Sequence, residues 1–333
     1  MIVFTPGEEE SRMSTKEQVL RLLTEETTVS GERLGEELRV SRNSVWKAVN
    51  QLRQDGYEIE AVTNRGYRLM SLPDLLTEEG IRKYLTTERF GREMELHDSL
   101  DSTNQRAKAL AAEGAPHGFL VTADSQTAGR GRLGRSFYSP KHSGVYMSLI
   151  LRPTCAPEKA SMITSLTAVA AARAVEKLSG ADVKIKWVND LYIGSRKICG
   201  ILSEAGFGME AGQLDYVVVG IGVNVRKMAF PPELWEIAGS SGNETDTVPD
   251  RDRLIAEILN ELEKVYGQLE TGEFLEESRR RSNVIGRDVL VIQGGSQYPA
   301  RALDIDGQGR LIVRTETGAE TLGFGEVSLK LEK

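Results

Sequence analysis

The sequence is poor in the features on which several protein classes depend. Its two cysteines, Cys155 and Cys199, have neither a metal-binding nor a redox spacing, and they give no disulfide framework. No uninterrupted apolar run approaches the ~20 residues of a membrane span. The opening stretch, MIVFTPGEEESRM, is acidic and lacks an apolar segment of signal-peptide length. We therefore expect a protein of the reducing cytoplasm with no membrane segment.

An excess of positive charge is also missing. The 42 lysines and arginines are outnumbered by 49 aspartates and glutamates, which leaves a formal net charge of −7. A chain with this balance has no general basic coat, so any contact with nucleic acid must come from a local patch. With 333 residues, of which 40% are hydrophobic, the chain has room for two or three domains.

Residues 14–72 combine three helical segments with two short strands. Apolar residues recur at helical spacing in each segment, and Ser41 has the position of an N-cap for the third helix. We expect Val45, Trp46 and Val49 of that helix to face the core. The alternating segment YEIEAVTNRGYRLM predicts a pair of strands around a turn. Three helices followed by a hairpin predict a winged helix-turn-helix domain.

The third helix carries only positive charges, because Arg42, Lys47 and Arg53 are its charged residues. Six residues of this helix and of the hairpin wing are candidate DNA contacts: Arg42, Asn43, Ser44, Lys47, Arg65 and Arg68. Arginine and asparagine suit guanine and adenine edges, respectively. On these residues alone, a protein-interaction module that no longer binds DNA is an alternative.

The rest of the chain divides into two further regions. After a linker at Pro73 and Asp74, strands and helices mix without strict alternation, which predicts an α+β domain with a mostly antiparallel or mixed sheet over residues 75–283. From residue 284 to residue 333, short strands alternate with glycine-containing turns. That pattern predicts a small C-terminal β-barrel.

A glycine-arginine segment, TAGRGRLGRSFYSP, spans residues 127–140. It contains G-x-G-x-x-G, but the dinucleotide-binding motif needs a helix to begin within it. Here the segment RSFYSPKHSG and then a strand follow, so we reject that interpretation. A solvated basic loop is one alternative. Because glycine lets a backbone move and approach a ligand, and arginine binds phosphate and carboxylate oxygens, a mobile anion-binding loop is the other.

Two later segments also place polar residues beside strands. In KWVNDLYIGSRKICGILSEA, residues 186–205, Asn189 and Asp190 form a predicted turn, and Lys197 lies near the start of the next strand. A single lysine on a strand is usually a surface residue. The strand ending GIGVNV, residues 220–225, contains two glycines that leave room for a ligand against the backbone.

Five ordered motifs together resemble the biotin–protein ligase family. They are DSTN (101–104), QTAGRGRLGR (126–135), KWVNDL (186–191), RKICGIL (196–202) and GIGVNV (220–225). With a winged helix in front, the chain resembles the bifunctional bacterial form, which is also the biotin operon repressor. The resemblance extends from about residue 14 to the end, and it implies a ligase-type central sheet and an SH3-like C-terminal barrel.

The resemblance implies an activity and a set of site residues. The family activates biotin with MgATP to biotinyl-5′-adenylate and transfers biotin to one lysine of a biotin carboxyl carrier protein. The implied biotin-binding residues are Ser102, Thr103, Asn104, Gln126, Arg130, Gly131, Arg132, Lys197, Gly200 and Gly222. The implied ATP and adenylate residues are Arg130, Arg132, Arg135, Phe137, Asn189, Asp190 and Asn224. Asp190 is also the implied Mg²⁺ ligand. The implied catalytic residues are Lys197, Arg132 and Arg130.

Two positions depart from the family pattern. Val188 replaces the common proline of the KWPNDL motif, and Phe137 stands where tryptophan often follows the arginine loop. An aromatic side chain is kept in the second case, so we expect little change.

The resemblance also implies partners: operator DNA of biotin genes and a second copy of the chain in a ligand-promoted homodimer. Two alternatives stay open, a ligase whose winged helix no longer binds DNA, and a lipoate-type ligase.

Overall fold

The computed structural model describes residues 13–54, 56–63, 65–71, 75–207, 214–293, 296–323 and 328–331. The opening dozen residues, the predicted turn positions Asp55 and Asn64 and the predicted linker at Pro73 and Asp74 lie outside these ranges. The chain divides into two compact units, Met1–Leu75 and Leu76–Lys333, and each is described by itself. None of the described helices is long and apolar enough to cross a membrane.

The first unit is a three-helix domain with a β-hairpin. Its elements are α1 (Thr15–Glu25), α2 (Gly31–Glu37), α3 (Arg42–Gln54), β1 (Glu58–Val62) and β2 (Gly66–Ser71). Serines begin all three helices: Ser14 forms a capping box with Glu17, and the hydroxyls of Ser30 and Ser41 accept from backbone N–H groups three residues later. The predicted winged helix-turn-helix architecture is confirmed.

One side chain of this domain is not where we predicted it. The core contains Val45, Val49 and Leu52 of α3, but the Trp46 side chain is 52% exposed. The prediction that Trp46 faces the core is wrong, because the buried stripe of α3 follows positions 45, 48, 49 and 52. Trp46 lies on the opposite side of the helix, together with Asn43 and Lys47.

The second unit is built on a seven-stranded mixed sheet in the order β3-β4-β5-β9-β8-β7-β6. Its strands are β3 (Met94–His97), β4 (Leu120–Ala123), β5 (Gly144–Leu151), β6 (Val183–Lys186), β7 (Asp190–Ile193), β8 (Arg196–Phe207) and β9 (Leu214–Asn224). The β3–β4 pair is parallel, and the other pairs are antiparallel. This arrangement confirms the α+β prediction.

Helices cover both faces of this sheet. They are α4 (Glu78–Tyr84), α5 (Thr103–Ala112), α6 (Pro157–Ala160), α7 (Ile163–Ser179), α8 (Ser241–Glu244), α9 (Arg251–Tyr266) and α10 (Phe274–Arg281). Side chains alternate between the faces along a strand, so Val145 and Leu149 pack with α7 and α9, whereas Ile150 packs with α5. The two longest of the described helices are α7 and α9.

The C-terminal strands form a separate antiparallel sheet in the order β13-β12-β11-β10-β14. They are β10 (Asp288–Gln293), β11 (Ser296–Ile305), β12 (Leu311–Thr315), β13 (Gly318–Leu322) and β14 (Ser328–Leu331). This sheet belongs to the same compact unit as the large one. One link between them is the Trp187 indole, which donates to the carbonyl oxygen of Gly309 at 2.9 Å.

The glycine-arginine segment connects β4 to β5 without a helix. Its one helical feature is a single 3₁₀ turn, Arg132–Gly134, in which Leu133 has a φ of 56°. Because a dinucleotide-binding motif requires an α-helix at this point, the structure agrees with the rejection of that interpretation.

Candidate active site

The glycine-arginine segment, the start of α5 and three strands of the sheet, β5, β8 and β9, surround one cleft in the second unit. Most of the predicted ligase-site residues line it: Ser102, Thr103, Asn104, Gln126, Arg130, Gly131, Arg132, Phe137, Asn189, Lys197, Gly200 and Gly222. Arg135, Asp190 and Asn224 are not among its lining residues, although Asp190 contacts Lys197. The cleft also includes apolar residues that sequence reasoning did not name, among them Met147 and Ile221.

The floor of the cleft is a pair of glycines on neighbouring strands. Gly200 of β8 lies opposite Gly222 of β9. The ring of Phe137 packs on both residues: a Cβ atom on Gly222 would lie 2.5 Å from its Cε1, and one on Gly200 would lie 3.2 Å from its Cε2. The Phe137 ring also meets the Tyr146 ring edge to face, with centroids 6.3 Å apart. Only glycines therefore allow the aromatic ring to approach the sheet so closely.

Gln126 connects the glycine-arginine segment to α5. Its Oε1 accepts from the backbone N–H of Thr103 at 2.9 Å and from the Thr103 hydroxyl at 3.2 Å. Its Nε2 donates to the hydroxyl of Ser139 at 2.9 Å. Ser102 is the N-cap residue of α5, but its hydroxyl makes no capping hydrogen bond. This hydroxyl therefore lies at the wall of the cleft without serving the helix.

Asn104 is buried, and its amide is bonded to the protein on both sides. Its Oδ1 accepts from the Ser148 hydroxyl at 2.6 Å, and its Nδ2 donates to Glu204 at 2.9 Å and to the Leu202 carbonyl at 3.2 Å. These bonds hold α5 against β5 and β8. Asn104 therefore lines the cleft, and its amide holds the elements of the cleft wall together.

The positive side of the cleft consists of Lys197 and Arg132. Lys197 Nζ lies 2.7 Å from Asp190 Oδ1. Arg132 Nη1 donates to Asn189 Oδ1 at 3.1 Å, while the Asn189 amide donates to the Ile201 carbonyl and is thereby fixed. Burial lowers the pKa of Arg132, but an arginine stays charged in proteins. A partly desolvated cation attracts an anionic ligand more strongly than an exposed one.

Arg130 and Arg135 are exposed on the same segment. Asn224 is buried at the end of β9, where its Nδ2 donates to the Gly239 carbonyl at 2.9 Å. Of these three residues, only Arg130 lines the cleft.

A segment beyond Asn224 approaches Lys197, and sequence reasoning missed it. The backbone N–H of Lys197 donates to the Ile237 carbonyl at 2.8 Å, and the Gly239 N–H donates to the Lys197 carbonyl at 2.9 Å. Trp235 in this segment has a 62% exposed side chain. The segment contains PPELW, residues 231–235, which has no periodicity that sequence reasoning could use. The exposed Trp235 indole is the feature that marks this segment as part of the site's surroundings.

In the first unit, α3 presents a polar face. Arg42, Asn43, Trp46 and Lys47 are exposed, and Ser44 is half-buried beside Ser41. In the hairpin wing, Arg65 is exposed and Arg68 donates to the Thr28 hydroxyl at 3.3 Å. Arg42 forms an exposed ion pair with Glu32 at 3.1 Å, a contact that phosphate or a base can replace.

Comparisons with known proteins agree with both units. Residues 96–224 match the biotin/lipoate A/B protein ligase family, residues 15–68 match a helix-turn-helix domain, and residues 284–330 match the biotin protein ligase C-terminal domain. The chain is 39% identical to the bifunctional ligase/repressor BirA of Bacillus subtilis (strain 168), over 90% of this chain and 94% of that protein.

Two further relatives each match about three quarters of the chain. The biotin–[acetyl-CoA-carboxylase] ligase of Mycobacterium tuberculosis is 31% identical over 76% of this chain and 95% of that protein. The structure of the Aquifex aeolicus biotin protein ligase in complex with biotin and ATP aligns with a TM-score of 0.63 and 25% identity. It covers 72% of this chain and all of that one. On this sequence and structural similarity, the chain belongs to the biotin protein ligase family, with the helix-turn-helix domain of its bifunctional ligase/repressor members.

Proposed function

We propose that the chain is a biotin–protein ligase that forms biotinyl-5′-adenylate from biotin and MgATP and transfers biotin to a lysine of a biotin carboxyl carrier protein. We further propose that it represses biotin genes by binding their operator DNA. The observation that carries the ligase proposal is the cleft itself, where Lys197 and Arg132 face a glycine floor. The cysteines are unpaired, which fits the reducing cytoplasm.

Two bond exchanges make up the reaction. First, a carboxylate oxygen of biotin attacks the α-phosphorus of ATP, the bond to the β-phosphate oxygen breaks, and pyrophosphate leaves with the electron pair. Then the neutral amine of the acceptor lysine attacks the acyl carbon, an amide forms, AMP leaves, and the nitrogen loses a proton. The first step needs cations because a carboxylate and a phosphate repel each other, and in the second step cations stabilise the negative charge of the departing AMP.

The cleft residues suit these steps. Lys197 is positioned to contact the reacting carboxylate and phosphate, and Arg132 and Arg130 to cover them from the glycine-arginine segment. Gln126, Ser102 and the two floor glycines suit the polar head and the ring face of biotin. A segment that closes over the adenylate keeps water from the mixed anhydride until the acceptor lysine arrives.

A magnesium ion, when bound, offsets the charge of the phosphate oxygens. Among the described residues, no group of three histidine, cysteine, aspartate or glutamate side chains is placed to hold a metal. The site instead offers Asp190 as a single carboxylate beside Lys197. A single carboxylate fits a Mg²⁺ ion that would be held by ATP phosphates and water, with Asp190 as its protein ligand. Mg²⁺ usually binds through one or two carboxylates together with substrate phosphates and waters.

The ligase is tested by incubating the protein with MgATP and either biotin or lipoate. We expect pyrophosphate and an acyl adenylate with biotin, and a labelled lysine when a biotin carboxyl carrier protein is added. Activity with lipoate but not biotin would favour the lipoate-type alternative. No adenylate with either acid would refute the ligase.

For the repressor, the polar face of α3 is the proposed DNA-reading surface. Asn43, Trp46 and Lys47 lie on one side of the helix, and no acidic residue interrupts them. Asparagine reads adenine, an indole packs on thymine methyl groups, and lysine contacts phosphate. We propose that biotinyl-adenylate favours a homodimer whose two wings read a palindromic operator.

The repressor function is tested by capturing fragmented genomic DNA with the purified protein. One capture contains both biotin and MgATP, and the other contains neither. We expect promoters of biotin genes only with both ligands. Lys47→Gln should weaken this capture, whereas Lys264→Gln, an exposed lysine of the second unit, should not. No enrichment in either condition from a protein that makes the adenylate would leave a ligase whose winged helix does not bind DNA.

A further inference from the structure

Beneath the glycine-arginine segment lies a buried ionic group that the proposed chemistry does not use. It comprises Asp124, His142 and Arg251, here called the loop-base cluster. The Arg251 side chain is fully buried, and its Nη1 lies 2.6 Å from Asp124 Oδ1. His142 Nδ1 lies 2.8 Å from Asp124 Oδ2. None of the three residues lines the cleft.

The cluster joins the two ends of the segment. Asp124 directly follows β4, and His142 lies two residues before β5. The backbone N–H of His142 also donates to Asp124 Oδ1 at 3.2 Å. Arg251 comes from the start of α9 and donates to Asp124 and to the Gly144 carbonyl at 3.0 Å, so one guanidinium holds the chain on both sides of the segment.

Above the cluster, backbone hydrogen bonds continue toward the tip. Gln126 N donates to the Ser139 carbonyl at 3.1 Å, and Phe137 N donates to the Gly129 carbonyl at 2.8 Å. Gly131 N donates to the Arg135 carbonyl at 2.7 Å. The Asp124–His142 contact is thus the lowest rung of a ladder that ends beside Arg132.

The residue types at this contact suit a role in fixing the position of the segment. His142 has a φ of 59°, which glycine accepts more readily than a side-chain residue. Burial lowers the pKa of His142, which favours the neutral imidazole beside the Asp124 carboxylate. A buried arginine beside a carboxylate is costly to leave unpaired, which makes the contact stiff.

We propose that Asp124, His142 and Arg251 are positioning residues that hold the glycine-arginine segment in the geometry that retains the adenylate. The inference rests on the proposed ligase function. It predicts that loosening the cluster allows the adenylate to escape before the acceptor lysine reacts.

The test uses the full chain with two cluster variants, Asp124→Asn and His142→Gly. The second removes the imidazole and keeps a backbone that tolerates the positive φ. The matched control is Glu176→Gln, because Glu176 is one of the two carboxylate partners of another buried arginine, Arg281, at 2.7 Å. Neither residue of that pair lines the cleft.

The readout is the amount of adenylate released to solution divided by the amount of carrier protein biotinylated. Loss of folded protein lowers both quantities together, so it leaves this ratio unchanged. We expect the ratio to rise about tenfold in both cluster variants, within the ~100-fold effect of a misplaced catalytic geometry. In Glu176→Gln it should stay at the value of the parent chain.

An unchanged ratio in His142→Gly, or an equal rise in Glu176→Gln, would overturn the inference. If Asp124→Asn does not fold, His142→Gly alone decides. A parent chain that forms no adenylate would instead refute the ligase function, so the two failures are distinguishable.

Discussion

At the scale of single residues, the cations of the site each have a partner within the protein that a ligand anion could replace. Lys197 is paired with Asp190 at 2.7 Å, and Arg132 with Asn189 at 3.1 Å. Both partners are short side chains beside one turn, and both cations are only partly exposed. In the proposed function, an incoming carboxylate or phosphate would compete with the carboxylate and the amide for the same cations, and we expect ligand binding to exchange one set of polar contacts for another.

Lys197 should affect the reaction more than it affects biotin binding. In Lys197→Gln, we expect kcat for adenylate formation to fall by about 10²–10³-fold, because a charge that stabilises the developing transition state is lost. Biotin affinity should change much less. Pyrophosphate release and calorimetric titration with biotin measure the two quantities. The control is Lys177→Gln, since Lys177 is an exposed lysine that pairs with Glu257 and does not line the cleft. Equal losses of rate and affinity would argue against a catalytic role.

Gly222 should tolerate no side chain while Phe137 packs on it. In Gly222→Ala, the new methyl group would lie 2.5 Å from the ring, so the ring or the strand must shift. We expect the free energy of unfolding to fall by about 1–3 kcal/mol, the usual cost of overpacking. Adding Phe137→Ala should remove most of the further loss caused by the alanine at position 222.

Chemical denaturation of the two single variants and the double variant measures this coupling. Gly267→Ala is the control, because the nearest atom to its added methyl group lies 3.6 Å away. Additive effects of the two changes would show that Phe137 does not pack on Gly222.

At the scale of elements, the sequence predicted regular structure better than it predicted contacts between distant segments. The three N-terminal helices follow from apolar spacing and from the serine caps at Ser14, Ser30 and Ser41. The strands follow from β-branched runs between turn residues. These signals are local, so a single sequence contains them.

The exposure of Trp46 and the loop-base cluster were not predicted from the sequence, for different reasons. Trp46 is predicted in the core because it is an apolar residue grouped with Val45 and Val49 at helical spacing, yet the buried stripe of α3 follows positions 45, 48, 49 and 52 and excludes it. The loop-base cluster joins Asp124 to Arg251, which are far apart in the chain. No periodicity relates such positions, and only the fold brings them together.

The glycine-arginine segment should retain the adenylate through Arg132. Arg132→Gly removes the hydrogen bond to Asn189 that connects this segment to the turn before β7. We expect the variant to release adenylate and to label lysines of an added bystander protein several-fold more than the parent chain does. A pulse of biotin and MgATP with serum albumin, followed by detection of protein-bound biotin, measures this. Arg301→Gly, on the C-terminal sheet, is the control. Equal bystander labelling by Arg132→Gly and the parent chain would contradict this role.

At the scale of the whole molecule, the two proposed activities reside in separate compact units. The candidate ligase site draws all of its residues from Leu76–Lys333, and the candidate DNA contacts all lie in Met1–Leu75. The second unit has its own large core, which includes Leu120, Leu149 and Leu259. The Mycobacterium tuberculosis ligase and the Aquifex aeolicus structure match about three quarters of this chain.

A chain that begins at Leu76 should therefore keep the ligase activity and lose DNA binding. We expect its kcat for adenylate formation to stay within about threefold of the full chain, because domains with their own cores fold independently. The same preparation should capture no biotin-gene promoter, with or without biotin and MgATP. Pyrophosphate release and genomic-fragment capture, run on both chains, measure the two outcomes. A truncated chain that folds, as judged by a cooperative thermal transition, but forms no adenylate would show that residues before Leu76 contribute to the site.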